Sequence, residues 1–294
     1  MAMERYMRSG MSNGGRLVAR GNEPLTNEAL RAAVPSIFAT EAHESRSARF
    51  TPIPTVEVLD GLRNEGFEPF FAQQSLTRVE GKAAFTKHML RMRHRSLSND
   101  KGEAFEIILV NANDGTSAYQ MLPGFFRFVC ANGLFVGDKF DEIKVRHSGR
   151  AMDDVIEGAY RVLDTAPQVI DEIGQFKALP LSEGERNAFA TAALELRFPS
   201  EIDEETGEAV SKAPITADKL LVPARYGDTG RDLYTTFNVV QERAVRGGLR
   251  GHTVGSDGRH RRTSTREVKG IDQSKALNRA LWTLAAEMAK LKAA

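Results

Sequence analysis

Phe105-Glu106-Ile107-Ile108-Leu109-Val110-Asn111-Ala112 is followed by Asn113-Asp114-Gly115 and then by Thr116-Ser117-Ala118-Tyr119-Gln120-Met121-Leu122. The first run is short, apolar and rich in β-branched residues, which is the signature of a buried strand. Asp-Gly readily takes the positive φ values of a tight hairpin turn. The third run returns as a second strand. This hairpin anchors a β-rich stretch. Upstream, Phe67 to Val79 reads as a strand, Glu80-Gly81 as a turn, and Ala84 to Arg95 as another strand. Downstream, Phe125 to Cys130 fits either a strand or the start of a helix, and Asp141 to His147 alternates in the strand manner.

Helical signals flank the stretch. Thr26 suits an N-cap for residues 26–41, with Pro35 interrupting the run. Thr55 to about Glu65 places Val58, Leu59 and Leu62 on one face, and Gly66 suits a left-handed stop. After the strands, residues 151–176 read as one long helix, kinked or broken at Pro167. Ser182 and Glu185 have capping-box spacing. Residues 200–214 read as an exposed acidic loop, and Thr216 or Asp218 opens a short helix. Arg231–Val245 and Ile271–Leu291 are amphipathic helices, separated by a Gly/Arg loop over 247–264. Strands first and helices later, without alternation, predict an α+β fold. An antiparallel β-meander fills the N-terminal half and helices the C-terminal half. The expected divisions are a mobile arm over 1–22, a core with meander and long helix over 23–180, and a mainly helical region over 181–294 with a basic loop at 246–266.

The chain has 294 residues, with 40 Lys+Arg against 39 Asp+Glu. Such a composition excludes a disulfide scaffold, a collagen and a wholly disordered chain. The neutral sum conceals blocks. Arg78 to Arg95 holds six basic residues and one acid, Arg243 to Lys269 eight basic residues and two acids, and Ser182 to Glu208 eight acids and two arginines. In a strand, Lys87, Arg91, Arg93 and Arg95 share a face at a spacing of roughly 6.8 Å, which could track a phosphate backbone. The competing reading is a solvated sheet face paired with acids on a neighbouring strand. Arg246, Arg250, Arg259, Arg261, Arg262 and Arg266 lie in the Gly-rich loop among Ser and Thr hydroxyls, a composition suited to phosphate. The competing reading there is a tether that docks on the acidic block.

Signals for chemistry are sparse. Cys130 is the single cysteine, so no intramolecular disulfide forms, and the residue reads as small and buried. His43, His88, His94, His147, His252 and His260 show no zinc-binding spacing. The glycines at 247, 248, 251 and 255 do not form a phosphate-binding loop. Asp153-Asp154 and Glu204-Glu205 read as a helix start and a solvated loop. The reading therefore assigns no catalytic residue, no metal and no cofactor. Arginines near the start are followed by no apolar stretch, and no run reaches the roughly 18 apolar residues of a membrane helix. The expected location is the cytoplasm, with no membrane partner.

Arg127-Phe128-Val129-Cys130-Ala131-Asn132-Gly133-Leu134, followed by Ile143-Lys144-Val145-Arg146-His147-Ser148-Gly149, resembles the prokaryotic phage/plasmid-like protein family built on domain of unknown function 932. The runs Tyr234 to Glu242 and Leu277 to Trp282 resemble it too. The resemblance implies a home on phages, plasmids or integrated elements, and it implies no catalytic residue. Asn238 and Gln241-Glu242, polar on an apolar helix, read as a buried hydrogen-bond network.

The leading functional expectation is nucleic-acid binding, to single-stranded DNA in replication, recombination, annealing or protection. The basic strand, the long helix and the basic loop would form a groove, and Phe67, Phe70, Phe71 or Phe85 would offer stacking surfaces. The order of sheet then helix resembles ring-forming annealing proteins at the level of fold. The alternative is a non-enzymatic assembly protein, a homo-oligomer in which the acidic block of one subunit receives the basic block of another.

Overall fold

The computed structural model describes residues 16–47, 50–97, 102–127, 133–135, 143–145, 151–204, 206–254 and 258–293. The chain divides into two compact units, Met1–Ala166 and Pro167–Ala294, a boundary that precedes the expected one at residue 180. Cys130, Asn132 and His147 lie outside the described residues.

The first unit is an antiparallel sheet with helices. Its strands are β1 (Arg16–Arg20), β2 (Phe67–Ser75), β3 (His88–His94), β4 (Glu103–Asn111), β5 (Tyr119–Arg127), β6 (Gly133–Phe135) and β7 (Ile143–Val145). β1 to β6 are neighbours in chain order, and β7 also pairs with β5. This is the expected meander. Residues 16–20, however, were assigned to the mobile arm. They pair with β2 from Arg16↔Ser75 to Arg20↔Phe71, because Leu17-Val18-Ala19 can satisfy an open sheet edge.

The decisive hairpin forms, with a difference. Gly115 takes φ +73° as its turn role requires. β5 starts only at Tyr119, so residues 112–118 make a longer loop than the expected turn over Asn113–Gly115. Asp114 explains this, because its side chain accepts from both the Thr116 amide and hydroxyl (3.0 and 2.6 Å) and pairs with Lys82 at 3.1 Å. Burial works against the Asp114 carboxylate. The Thr116 hydrogen bonds and Lys82 outweigh it and hold the pKa below the usual value.

β6 and β7 lie along the same edge of β5. Gly124 faces Phe135, whereas Met121 faces Ile143. An unbroken strand would put residue 138 opposite Met121, so five extra residues enter between the two pairings. Pro123, which has no amide hydrogen, sits at this interruption.

Helices α1 (Asn27–Ala33), α2 (Thr55–Asn64) and α3 (Ala151–Leu163) complete the unit. Thr26 caps α1 by accepting from the Ala29 amide at 3.2 Å. Pro35 starts a separate 3₁₀ turn. Gly66 ends α2 at φ +91°. Leu30, Val58, Leu59, Phe67, Leu90 and Met92 are fully buried. A hydrogen-bonded line joins α2 to the sheet. Asn111 donates to Thr55 Oγ1 at 3.0 Å, and Thr55 Oγ1 meets His88 Nε2 at 2.8 Å. His88 Nδ1 faces the Thr86 carbonyl. The carbonyl can only accept, so Nδ1 carries the proton and Nε2 accepts from the Thr55 hydroxyl. Burial lowers the His88 pKa to about 4.

The second unit contains α4 (Ala166–Ala178), α5 (Glu183–Arg197), the pair β8 (Glu201–Ile202) and β9 (Ala209–Val210), and a 3₁₀ turn over Ala217–Leu221. It continues with α6 (Leu233–Arg246), the pair β10 (Arg250–Val254) and β11 (His260–Ser264), and α7 (Ile271–Ala293). The expected long helix is thus two helices. α3 stops at Leu163, and Pro167 opens α4 from its second position, where a missing amide hydrogen costs nothing. Ser182 and Glu185 form the expected capping box. Hydrogen bonds from the Ser182 amide and from Lys292 lower the Glu185 pKa to about 2. Trp282 packs in the core against Phe176 and Phe237.

The polar residues of α6 are buried and hydrogen-bonded as expected, but to separate partners rather than in one network. Gln241 donates to Asn278 of α7 at 2.7 Å, and Asn278 donates to the Ser274 carbonyl. Asn238 donates to the Tyr234 carbonyl.

Candidate nucleic-acid interface

The two basic blocks have opposite fates. In the first unit, Arg91 is only 3% exposed. Its Nε reaches Glu106 Oε2 at 2.5 Å, and Arg93 Nε reaches Glu106 Oε1 at 2.9 Å. Phe71 and Phe126 flank the Arg91 guanidinium, and Phe70 lies 4.1 Å from that of Arg93. Burial lowers the Arg93 pKa, although Glu106 opposes the shift. The expected phosphate-tracking face is therefore a buried ion cluster: an acid on the neighbouring strand pairs with Arg91 and Arg93, as the competing reading had it, but the face is covered rather than solvated. Both faces of β3 are covered, with Leu90 and Met92 on one and Met89 and Arg91 on the other. Lys87 is half-buried, and Arg95 is exposed but lies in a 3₁₀ turn beyond the strand. Nor do the expected stacking residues present themselves: Phe67 and Phe71 are buried, Phe70 lies beside Arg93, and Phe85 packs edge-on to His43.

In the second unit, the expected Gly/Arg loop is a two-stranded ribbon. β10 and β11 pair from Arg250↔Ser264 to Val254↔His260. The strand period puts Arg250, His252, Val254, His260, Arg262 and Ser264 on one face. All six are exposed. Arg259 is exposed just before β11, and Arg261 is exposed on the other face. The Thr residues at 253, 263 and 265 favour strand, a signal masked in the sequence by the surrounding glycines.

The root of the ribbon is fixed. The His252 amide donates to the Pro214 carbonyl and Lys219 donates to the Arg250 carbonyl, at 2.8 and 2.7 Å. At Gly251 an added Cβ would lie 1.8 Å from the Pro214 carbonyl oxygen. Gly247 (φ +66°) turns the chain out of α6 against the backbone of Thr265 and Arg266. Arg197 donates to the Ala244 and Arg266 carbonyls.

Beside this root is a second cluster. Glu242 of α6 is buried, and Arg225 meets its two carboxylate oxygens at 2.5 Å each. Arg246 pairs with the same carboxylate at 3.1 Å, and Arg225 also pairs with buried Asp228 at 3.3 Å. Arg246 of the candidate set is therefore half anchor and half surface. Between Arg225 and Asp228, Tyr226 is 98% exposed. Sequence reasoning missed it, having looked for stacking rings in the strands.

The ribbon collects Arg250, Arg259, Arg261 and Arg262, with Arg246 and Arg266 at its root. Lys87, Arg91, Arg93 and Arg95 belong to the other unit. Three acids of the acidic block pair with cations outside the ribbon: Glu183 with Arg186 and Arg231, Glu185 with Lys292, and Glu201 with Lys212. Among the described residues no group of three or more His, Cys, Asp or Glu side chains could hold a metal ion, and no helix is long and apolar enough to cross a membrane.

Fold and surface together define an α+β protein, with a meander unit followed by a helical unit that carries an exposed arginine ribbon. The sequence matches the family described as Domain of unknown function (DUF932) over residues 42–282, and the chain belongs to that family. It is similar to two proteins of Escherichia coli (strain K12), UPF0380 protein YafZ and UPF0380 protein YfjQ. Each is 44% identical over 272 residues, covering 92% of this chain and 94% of the relative. No solved structure matches.

Proposed function

We propose that the protein binds nucleic acid, single-stranded DNA first, through the β10–β11 ribbon, in the replication, recombination or protection of a phage or plasmid-like element. One observation carries the reading: four exposed arginines and two exposed histidines are gathered on a ribbon whose root is fixed to its own unit. Burying the Arg91–Arg93 cluster removes the competing basic surface and concentrates the reading on the ribbon.

The test is a salt titration of oligonucleotide binding. Each phosphate contact on a single strand adds about 0.7 to the slope of log K against log salt. Arg250→Gln with Arg262→Gln should reduce the slope by about 1.4 and leave the folded unit intact. Binding that keeps its affinity and slope in this variant overturns the ribbon assignment. Light scattering at two salt concentrations, without nucleic acid, tests the assembly alternative: a salt-sensitive oligomer would favour it.

A further inference from the structure

We infer that Tyr226 is a base-stacking platform, so that the nucleic acid bound beside the ribbon is single-stranded. This deepens the nucleic-acid reading and rests on it. Tyr226 is 98% exposed, the most open of the large hydrophobic residues among the described residues. A ring on a floppy loop would mean little, since single exposed apolar residues are common. This one is held. Its neighbour Arg225 clamps buried Glu242 through two hydrogen bonds, and Asp228, two residues on, is itself buried and paired with Arg225. The Asp228 amide donates to the Arg225 carbonyl at 3.2 Å, closing the turn. Arg243 fixes the approach to the turn by donating to the Val222 and Pro223 carbonyls at 2.7 and 2.9 Å. The backbone is thus pinned on both sides while the ring stands in solvent, so little ordering entropy remains to oppose stacking.

The placement suits the ligand. Glu242, which holds Arg225, also holds Arg246, and Arg246 leads through Gly247 and Gly248 into Arg250 of the ribbon. Tyr226 therefore adjoins, through Arg225, the same Glu242 carboxylate that holds Arg246 at the root of the ribbon. Every base offers a π-face to an aromatic ring, whatever its identity. Inside a duplex those faces are covered by neighbouring pairs and only the ends expose one, so the platform favours unpaired strands.

The experiment uses the full chain and two probes: an oligothymidylate of about twenty nucleotides, longer than a typical single-strand site, and a blunt duplex of similar length. Tyr226→Ala should weaken binding of the single strand about tenfold, or about 1.4 kcal/mol. The salt slope should stay unchanged, Tyr226→Phe should retain affinity, and duplex binding should not respond. Tyr226→Trp supplies a direct signal, because the natural Trp282 is only 2% exposed. Its emission should be quenched as the oligothymidylate saturates. Full affinity in Tyr226→Ala with unquenched emission in Tyr226→Trp overturns the platform, while Arg250→Gln with Arg262→Gln still reports on the ribbon. No binding of either probe by the native chain overturns both readings.

Discussion

Replacing Glu106 by Gln preserves the shape of the side chain and removes the negative charge that Arg91 and Arg93 share. The three side chains are 1%, 4% and 14% exposed, and the two ion pairs measure 2.5 and 2.9 Å. Water cannot take over the role of the carboxylate at that depth, so two guanidinium groups are left close together with their charge uncompensated. Losing one partner of a buried ion pair costs about 3–5 kcal/mol, a large share of the roughly 5–15 kcal/mol that holds a typical domain together. With a urea m-value of about 2 kcal/mol per molar, the midpoint of the transition that reports on this unit should fall by about 2 M. A fall of less than about 0.5 M at unchanged m would refute the reasoning. Replacing all three together (Arg91→Met, Arg93→Leu, Glu106→Leu) should recover most of the loss, because apolar side chains of similar volume carry no desolvation penalty. Arg91→Met alone should lower stability and leave oligonucleotide affinity at its native value, since this arginine is covered.

Other expectations concern the buried histidine and the ribbon root. Unfolded His88 titrates near 6.5 and folded His88 at about 4. Above pH 6.5 neither state binds the proton and this group contributes no pH dependence. Between pH 6.5 and 4 the unfolded chain binds more protons, so stability falls on acidification by about 1.4 kcal/mol per pH unit, to about 3 kcal/mol in all. Urea midpoints measured across that range should show the slope in the native chain and lose it in His88→Gln; equal slopes would contradict a neutral buried ring. Gly251→Ala places a methyl against the Pro214 carbonyl, a strain of about 1–3 kcal/mol. Hydrogen exchange at the His252 amide, which donates to that carbonyl, should accelerate, and native protection there would mean that the root does not depend on close approach.

Features carried by a few adjacent residues were readable in the sequence. Thr26, Gly66 and the Ser182–Glu185 box marked helix ends correctly, because each cap acts within one turn of its own residue. The meander followed from the runs of apolar residues and their turns. Strand pairing was harder to read. The period-2 rule put Arg91 and Arg93 on one face, but Glu106 lies fifteen and thirteen residues away and reaches them only through the register that sets Arg91 opposite Ile108. The ribbon was missed for the opposite reason: glycines and arginines argued for a loop, while the Pro214 carbonyl and Lys219, distant in sequence, supply its root. Tyr226 gave no local signal either, since Arg225 beside it is held by Glu242 on another element.

The interrupted edge beside β5 separates two properties that are usually tied in a sheet, chain length and alignment. Gly124↔Phe135 and Met121↔Ile143 lie on either side of Pro123 and do not share one register. An insertion between residues 135 and 143 is therefore expected to leave Met121 seated beneath Gly158 of α3, where a Cβ would come within 2.2 Å of the methionine methyl. The same insertion inside β4 would turn every following side chain to the wrong face if it were odd in number. The two registers along this edge make it the place where a graft or a reporter is expected to leave the sheet behind it unchanged, an expectation that an unaltered urea midpoint of this unit would meet.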